Sequence, residues 1–204
     1  MIASFVFDLD STILKGELLP AIGEQALGDR ELRDRTMESV MGSAPFAQSF
    51  HSRVARLRQV PVVRAAEIAR NLPRYERLCA FLRRNRERCY LATGNLDVWI
   101  APLVRELGLE GHCFSSVARV ERGYVTGIAS LLDKATVLSA LPRPLAAVGD
   151  GMNDLPMLLG ADVGIAFAGS HPVPAELAQA ASYVAWDENA LVALLERLGE
   201  STEY

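Results

Sequence analysis

Two pairs of aspartates could do chemistry in this chain: Asp8 and Asp10 in the run DLDST (8–12), and Asp150 and Asp154 in GDGMND (149–154). Side chains alternate along an extended chain, so Asp8 and Asp10 point to one side. They follow an apolar run, IASFVFD (2–8), and the carboxyl end of a parallel strand is where open α/β sheets take ligands. Two carboxylates this close repel and shift each other's proton affinity unless a cation neutralises them. A hard divalent ion such as Mg²⁺ suits oxygen ligands of this kind. Turn or helix-capping aspartates would give the same local pattern. Asp150 lies between Gly149 and Gly151, which permit a tight turn with an exposed carboxylate. Asn153 and Asp154 then open a helix with Pro156 in its first turn. A turn and a cap explain this segment alone, but not two acid clusters at strand ends in one chain. If the two strands are neighbours, Asp8, Asp10, Asp150 and Asp154 converge.

A phosphate at such a cluster would need positive charge and hydrogen-bond donors. Lys134 begins the run KATVL, and Thr93 and Gly94 close LATG (91–94). A hydroxyl and backbone N–H groups there could hold phosphate oxygens; a surface lysine and an ordinary strand-to-helix turn are the alternatives. His51, His112 and His171 fit no metal spacing and are read as packing or surface residues. Cys79, Cys89 and Cys113 are odd in number and match no zinc or redox spacing, so they are read as buried reduced thiols.

The elements that must position these groups alternate between strand and helix. Short β-rich apolar runs are predicted as strands at 2–8, 88–93, 144–149 and 161–166. Helical patterns fall at about 73–87 and at 96–107, 131–140, 154–159 and 187–198. This alternation predicts an α/β fold, a Rossmann-like parallel sheet with helices on both faces. HCFSSVARVERGYVTG (112–127) carries turn signals at ERG and TG and is read as a small β-hairpin. Between residues 14 and 72 only helical spacing appears, with Pro45 and Pro61 at helix starts. The sequence therefore predicts a core of 1–13 and 73–204 with a helical cap of 14–72 inserted after the first strand.

The chain has 204 residues, half of them hydrophobic, with 23% charged and a net charge of −4. That is enough apolar material for a core, and it argues against a disordered chain and against a bulk electrostatic nucleic-acid binder. Seven arginines lie between 70 and 88, but Glu76 and Glu87 interleave with them, so this stretch is read as a solvated helix face. No apolar run approaches the ~18 residues of a membrane span, and the N-terminus lacks the features of a signal peptide, so a cytoplasmic protein is expected. Trp99 and Trp186 are assigned to the core or to a contact between copies, which leaves a homodimer open. Among the 21 basic residues nineteen are Arg, and Lys15 and Lys134 are the two lysines. Arginine would have been the compositional default at 134, so a lysine there is informative.

DLDST, ATG, DKAT and GDGMND, in this order and at these spacings, resemble the four motifs of the haloacid dehalogenase superfamily of phosphatases. The insert resembles the helical cap of its phosphoserine phosphatase-like branch, and the resemblance covers the whole chain. P-type ATPases share such motifs but carry membrane helices that are lacking here. The resemblance implies that Asp8 is the nucleophile and forms an aspartyl-phosphate. It implies that Asp10 is the general acid and then the general base, and that Thr93, Gly94 and Lys134 bind the phosphoryl oxygens. Mg²⁺ would be held by Asp8, the Asp10 backbone carbonyl and Asp150, with Asp154 supporting them and Asn153 orienting the phosphoryl site. In the cap, Glu17 would receive a substrate ammonium and Arg53 a carboxylate, with Phe46 beside the pocket. The expected activity is hydrolysis of a small phosphorylated metabolite, with phosphoserine (L-serine biosynthesis) leading. One residue departs from the pattern: where the family reads SGGF this chain reads TGNL (93–96), so Asn95 replaces a glycine. That admits another substrate, such as a phosphosugar or phosphohomoserine. A binding protein without turnover is a third reading, and the intact Asp8, Asp10, Lys134 and Asp150 speak against it.

Overall fold

The computed structural model describes residues 1–200. Its first strand, β1 (Ser4–Phe7), is wholly buried. Four helices follow before the chain returns to the sheet: α1 (Leu18–Leu27), α2 (Glu31–Val40), α3 (Phe46–Arg56) and α4 (Val62–Asn71). After α5 (Glu76–Arg84) come β2 (Cys89–Leu96), α6 (Asp97–Leu107), β3 (Cys113–Glu121), β4 (Tyr124–Ser130), α7 (Lys134–Val137) and β5 (Leu145–Gly149). A 3-10 turn at Met152–Asp154 leads into α8 (Leu155–Gly160), and the chain continues through β6 (Val163–Phe167), α9 (Ala175–Ala180), β7 (Tyr183–Ala185) and α10 (Glu188–Gly199).

The strands form one seven-stranded sheet in the order β4-β3-β2-β1-β5-β6-β7. All neighbours pair in parallel except β3 with β4. β1 is central because it can be. Its four residues SFVF are apolar except for one serine, and a strand covered on both faces has no use for a polar alternate position. Phe5 and Phe7 enter one core layer with Phe81, Leu82, Leu191 and Leu195 of α5 and α10. Val6, one residue out of phase, enters the opposite layer with Val137, Met157, Leu158 and Leu177 of α7, α8 and α9. From β1 the sheet grows to β2 on one side and to β5 on the other. The crevice outside the carboxyl end of β1 is therefore the topological switch point.

The α/β class, the parallel core and the helical segment after β1 agree with the sequence reading. Several details differ. The hairpin is β3 and β4, and it is no separate feature, because β3 also pairs in parallel with β2 through Leu91–Cys113 to Thr93–Ser115. The strand expected to end at Thr93 runs on to Leu96 through an irregularity between Thr93 and Leu96. The helix expected over 131–140 is shortened to α7 and a 3-10 turn (Leu138–Ala140), because Asp133 caps it by accepting from the Ala135 N–H at 3.0 Å. β7 and α9 carried too few periodic residues to be seen. Trp99 is fully buried, whereas Trp186 is exposed.

The arginine-rich stretch is tied down. Arg70 and Arg74 pair with Glu106, Arg84 pairs with Glu196, and Arg77 donates to Asn189. Arg88 donates to the carbonyls of Ile2 and Gly199. Arg70 and Arg74 thus tie the end of α4 and the turn after it to α6, and Arg77 and Arg84 tie α5 to α10. The exposed ion pairs among them each add little to stability.

Candidate active site

The expected site residues come from the carboxyl ends of β1, β2 and β5, from the start of α7 and from the helical insert. Asp8 directly follows β1, and its N–H still donates to the Val148 carbonyl of β5 at 2.9 Å. The chain then turns sharply. Ser11 lies in the left-handed region at φ 50°, its N–H donates to the Gly16 carbonyl at 3.0 Å and its hydroxyl donates to Glu17 Oε1 at 2.8 Å. Such a conformation is uncommon for a residue with a Cβ. Here it lets the chain double back, so that the first amide of α1, Leu18 N, donates to Asp10 Oδ1 at 3.2 Å.

Asp8 and Asp10 sit in different surroundings. Asp8 is buried, with its Oδ1 2.6 Å from Lys134 Nζ. The same ammonium lies 2.5 Å from Asp154 Oδ1. The other oxygen of Asp154 accepts from the N–H groups of Asp150 (3.0 Å) and Gly151 (3.2 Å), so Asp154 ties the β5 loop to the lysine. A side chain at Gly149 would run into Asp154, which gives that glycine a steric reason. Asp10 instead accepts from Asn95 Nδ2 at 3.0 Å through its Oδ2. Burial pushes its carboxyl up to about 6, against the lowering effect of the Asn95 and Leu18 hydrogen bonds. Asp10 can thus exchange a proton near neutral pH.

Carboxyl groups outnumber the basic side chains beside them. Burial raises Asp8 well above the usual range despite Lys134, and burial raises Asp150 as well. Burial works against the charge on Lys134, yet Asp154 and Asp8 together outweigh it and raise its pKa. Asp8, Asp150 and Asp154 present oxygens that lie within 4.8 Å of one another, and all three residues are buried. Lys134 serves Asp8 and Asp154, and His171 serves Asp150, so three buried carboxyl groups face two basic side chains. An all-oxygen set of this kind fits Mg²⁺.

Asp150 Oδ1 accepts from Thr12 Oγ1 at 3.1 Å, and its Oδ2 lies 2.8 Å from His171 Nε2. The histidine is a correction to the sequence reading, which gave it a packing or surface role. The Asp150 contact raises His171 to about 9. No spacing motif marks this residue. The available signal was topological: it lies in the loop after β6, the neighbour of β5, whose carboxyl end opens on the same crevice. Thr12 was likewise assigned no role.

The remaining residues close the site from two sides. Thr93, Gly94 and Asn95 occupy the irregular end of β2, and the Asn95 N–H donates to Thr93 Oγ1 at 3.1 Å. Irregularities of this type re-aim side chains. A Cβ on Gly94 would strike the ring of Phe46, so the insert packs directly on that glycine. Arg53 of α3 is buried, donates to Thr36 Oγ1 at 3.0 Å and lies over the Phe50 ring, 5.7 Å from its centroid. Burial lowers the pKa of Arg53 and strongly raises that of Glu17. Asp8, Asp10, Glu17, Phe46, Arg53, Thr93, Gly94, Asn95, Asp150 and Asn153 line one small cavity of about 30 Å³. Lys134 and Asp154 stand outside that lining and reach it through Asp8 and the β5 loop.

A family model described as haloacid dehalogenase-like hydrolase matches residues 5–159. A phosphoserine phosphatase of Mycobacterium tuberculosis is 32% identical over 190 residues, covering 86% of this chain and 46% of that protein. One of Archaeoglobus fulgidus is 28% identical over 177 residues, covering 79% and 51%. The chain thus spans about half the length of these two relatives. It covers 83% of the phosphoserine phosphatase of Methanocaldococcus jannaschii, at 26% identity. Among solved structures, a phospho-aspartyl intermediate analogue of phosphoserine phosphatase superimposes with a TM-score of 0.78 at 25% identity, covering 96% of this chain and 98% of that one. A substrate-bound phosphoserine phosphatase superimposes with a TM-score of 0.81 at 23% identity, covering 97% and 98%, and supports the fold.

Proposed function

Because the chain belongs to the haloacid dehalogenase-like hydrolase family, we propose that it hydrolyses a small phosphomonoester through a phosphorylated Asp8, with O-phosphoserine as the leading substrate. The observation that carries this reading is the contrast between two neighbouring carboxylates. Asp8 is paired with a buried ammonium at 2.6 Å, whereas Asp10 accepts from neutral donors, the Leu18 N–H and the Asn95 amide. Two carboxyl groups with different surroundings can divide the roles of nucleophile and proton carrier.

In the first transfer an Asp8 oxygen bonds to phosphorus, the phosphorus–ester oxygen bond breaks, and Asp10 gives its proton to the departing alkoxide. In the second, water attacks the phosphorus of the acyl phosphate, Asp10 takes the proton back, and Asp8 leaves as a carboxylate. Lys134 stabilises charge on Asp8 and on the phosphoryl group, and the Thr93 hydroxyl supplies a further donor. Asp8, Asp150 and the Asp10 carbonyl would hold Mg²⁺, with Asp154 and Asn153 supporting that side of the site. The ion would supply positive charge against the phosphoryl oxygens. Positioning and electrostatics are what phosphoryl transfer asks of a protein.

The curated relatives named phosphoserine phosphatase support the substrate, as do Glu17 and Arg53 on the cavity wall. A planar guanidinium suits a carboxylate, and Glu17 offers an acceptor to an ammonium. The fold and donor set also support an inserted cap over residues 14–72. Arg53→Ala tests the substrate assignment. It should raise KM for O-phosphoserine by about 100-fold, the loss of one charged hydrogen-bonding partner, and leave a generic aryl phosphate nearly unaffected. Equal changes for both substrates would rule out carboxylate recognition by Arg53.

A further inference from the structure

Two buried polar atoms in the cavity wall have no hydrogen-bond partner: Asn95 Oδ1 and Ser39 Oγ. Asn95 belongs to β2 of the core and Ser39 to α2 of the insert. The orientation of the Asn95 amide is set by its surroundings. Its Nδ2 faces Asp10 Oδ2 at 3.0 Å and Thr93 Oγ1 at 3.3 Å. Turning the amide over would set an acceptor oxygen against a carboxylate that has no proton to share once ionised. In this orientation the Oδ1 is an acceptor without a donor, in a residue that is 2% exposed. Leaving such a group unpaired is unfavourable, so the atom is open to a donor on a bound molecule.

From these atoms we infer that Asn95 is a specificity-determining residue. Its Oδ1 accepts a hydrogen bond from a donor on the leaving group, an ammonium or hydroxyl on the carbon next to the ester-bearing carbon. The placement follows from the other half of the amide. The Nδ2 touches Asp10, which serves the ester oxygen, and Thr93, which serves the phosphoryl group, so the same amide adjoins both reacting groups. Ser39 Oγ, which can donate or accept, closes the same space from the insert. The substrate class is thus a short phosphomonoester with a polar donor beside the ester, in preference to an alkyl or unsubstituted acyl ester. The inference rests on the phosphomonoesterase reading above, but not on phosphoserine itself.

Three three-carbon esters differ only at the middle carbon: O-phosphoserine (ammonium), 3-phosphoglycerate (hydroxyl) and 3-phosphooxypropionate (hydrogen). Their kcat/KM values are to be measured for the wild type, Asn95→Ala and Asn95→Gly, with thermal unfolding to check that each variant folds. All rates will fall in the variants, because Asn95 also holds Asp10. The ratio of donor-bearing to donor-less ester should fall as well, by about 10-fold, and Ser39→Ala should lower the same ratio by a smaller factor. A ratio unchanged in both Asn95 variants would overturn the inference and leave Asn95 acting through Asp10 alone. Failure of the substrate assignment looks different. If the wild type ignored O-phosphoserine while the ratio for the other two esters collapsed in Asn95→Ala, phosphoserine would fall and the role of Asn95 would stand. A wild type inert toward all three esters would overturn both.

Discussion

Asp150 shows how one side chain is held by partners far away in sequence. Thr12 reaches it from the β1 loop and His171 from the β6 loop, at 3.1 and 2.8 Å. A carboxylate fixed from both sides presents its remaining lone pairs in a set direction, and the partners of metal-binding carboxylates usually matter to affinity. His171→Ala should therefore weaken Mg²⁺ binding by about 10- to 100-fold, as measured by calorimetry on the protein without substrate. An unchanged affinity would reduce the contact to packing. At this scale the sequence was most legible where a motif carries the chemistry. Asp8, Asp10, Thr93 and Asp150 stand out because short motifs tie them to strand ends, and Lys134 because it opens a helix; the structure brings these residues together. His171 does not stand out, because its partner lies in another strand's loop and only sheet order brings them together. Asn95 was visible as a departure, but that its amide nitrogen is spent on Asp10 and its oxygen left open depends on coordinates.

The elements hold these groups through a few close approaches. β1 was readable as a buried strand, and the run expected over 2–8 is trimmed to Ser4–Phe7. The end of β2 was not, because TGNL looks like a turn and is in fact an irregular continuation of the strand to Leu96. The shortened α7 escaped for a similar reason. Leu131 and Leu132 extend an apolar pattern that Asp133 interrupts by capping. Where the insert meets the core, Phe46 packs on the bare backbone of Gly94. Gly94→Ala should push that ring and α3 outward while leaving the sheet intact. Its kcat/KM for O-phosphoserine should then fall by on the order of 10- to 100-fold, since small displacements of binding groups are costly to rate, with little change in thermal unfolding. Wild-type kinetics in Gly94→Ala would mean that the contact is not needed for closure.

Across the whole molecule, the α/β class and the place of the insert followed from strand and helix periodicity alone. Sheet order, and with it the depth of the site, did not. The cavity of about 30 Å³ has room for little more than a water or two. A phosphomonoester is large beside it, and we propose that the insert opens and closes around its substrate. Backbone amide exchange across α2 and α3 should accordingly slow when Mg²⁺ and orthovanadate, a mimic of the phosphoryl group, are added together. Exchange that is equally slow with and without them would indicate an insert that stays closed.

The division of labour between Asp8 and Asp10 is tested most directly by trapping the phosphorylated protein. Wild-type enzyme mixed with O-phosphoserine and Mg²⁺, quenched in acid within one turnover and digested, should yield a peptide carrying one phosphoryl group on Asp8. The Asp8→Asn variant, still folded by its unfolding curve, should yield no adduct and release no phosphate. Turnover by the wild type with the phosphoryl group on another residue, or phosphate release by Asp8→Asn, would contradict Asp8 as the nucleophile.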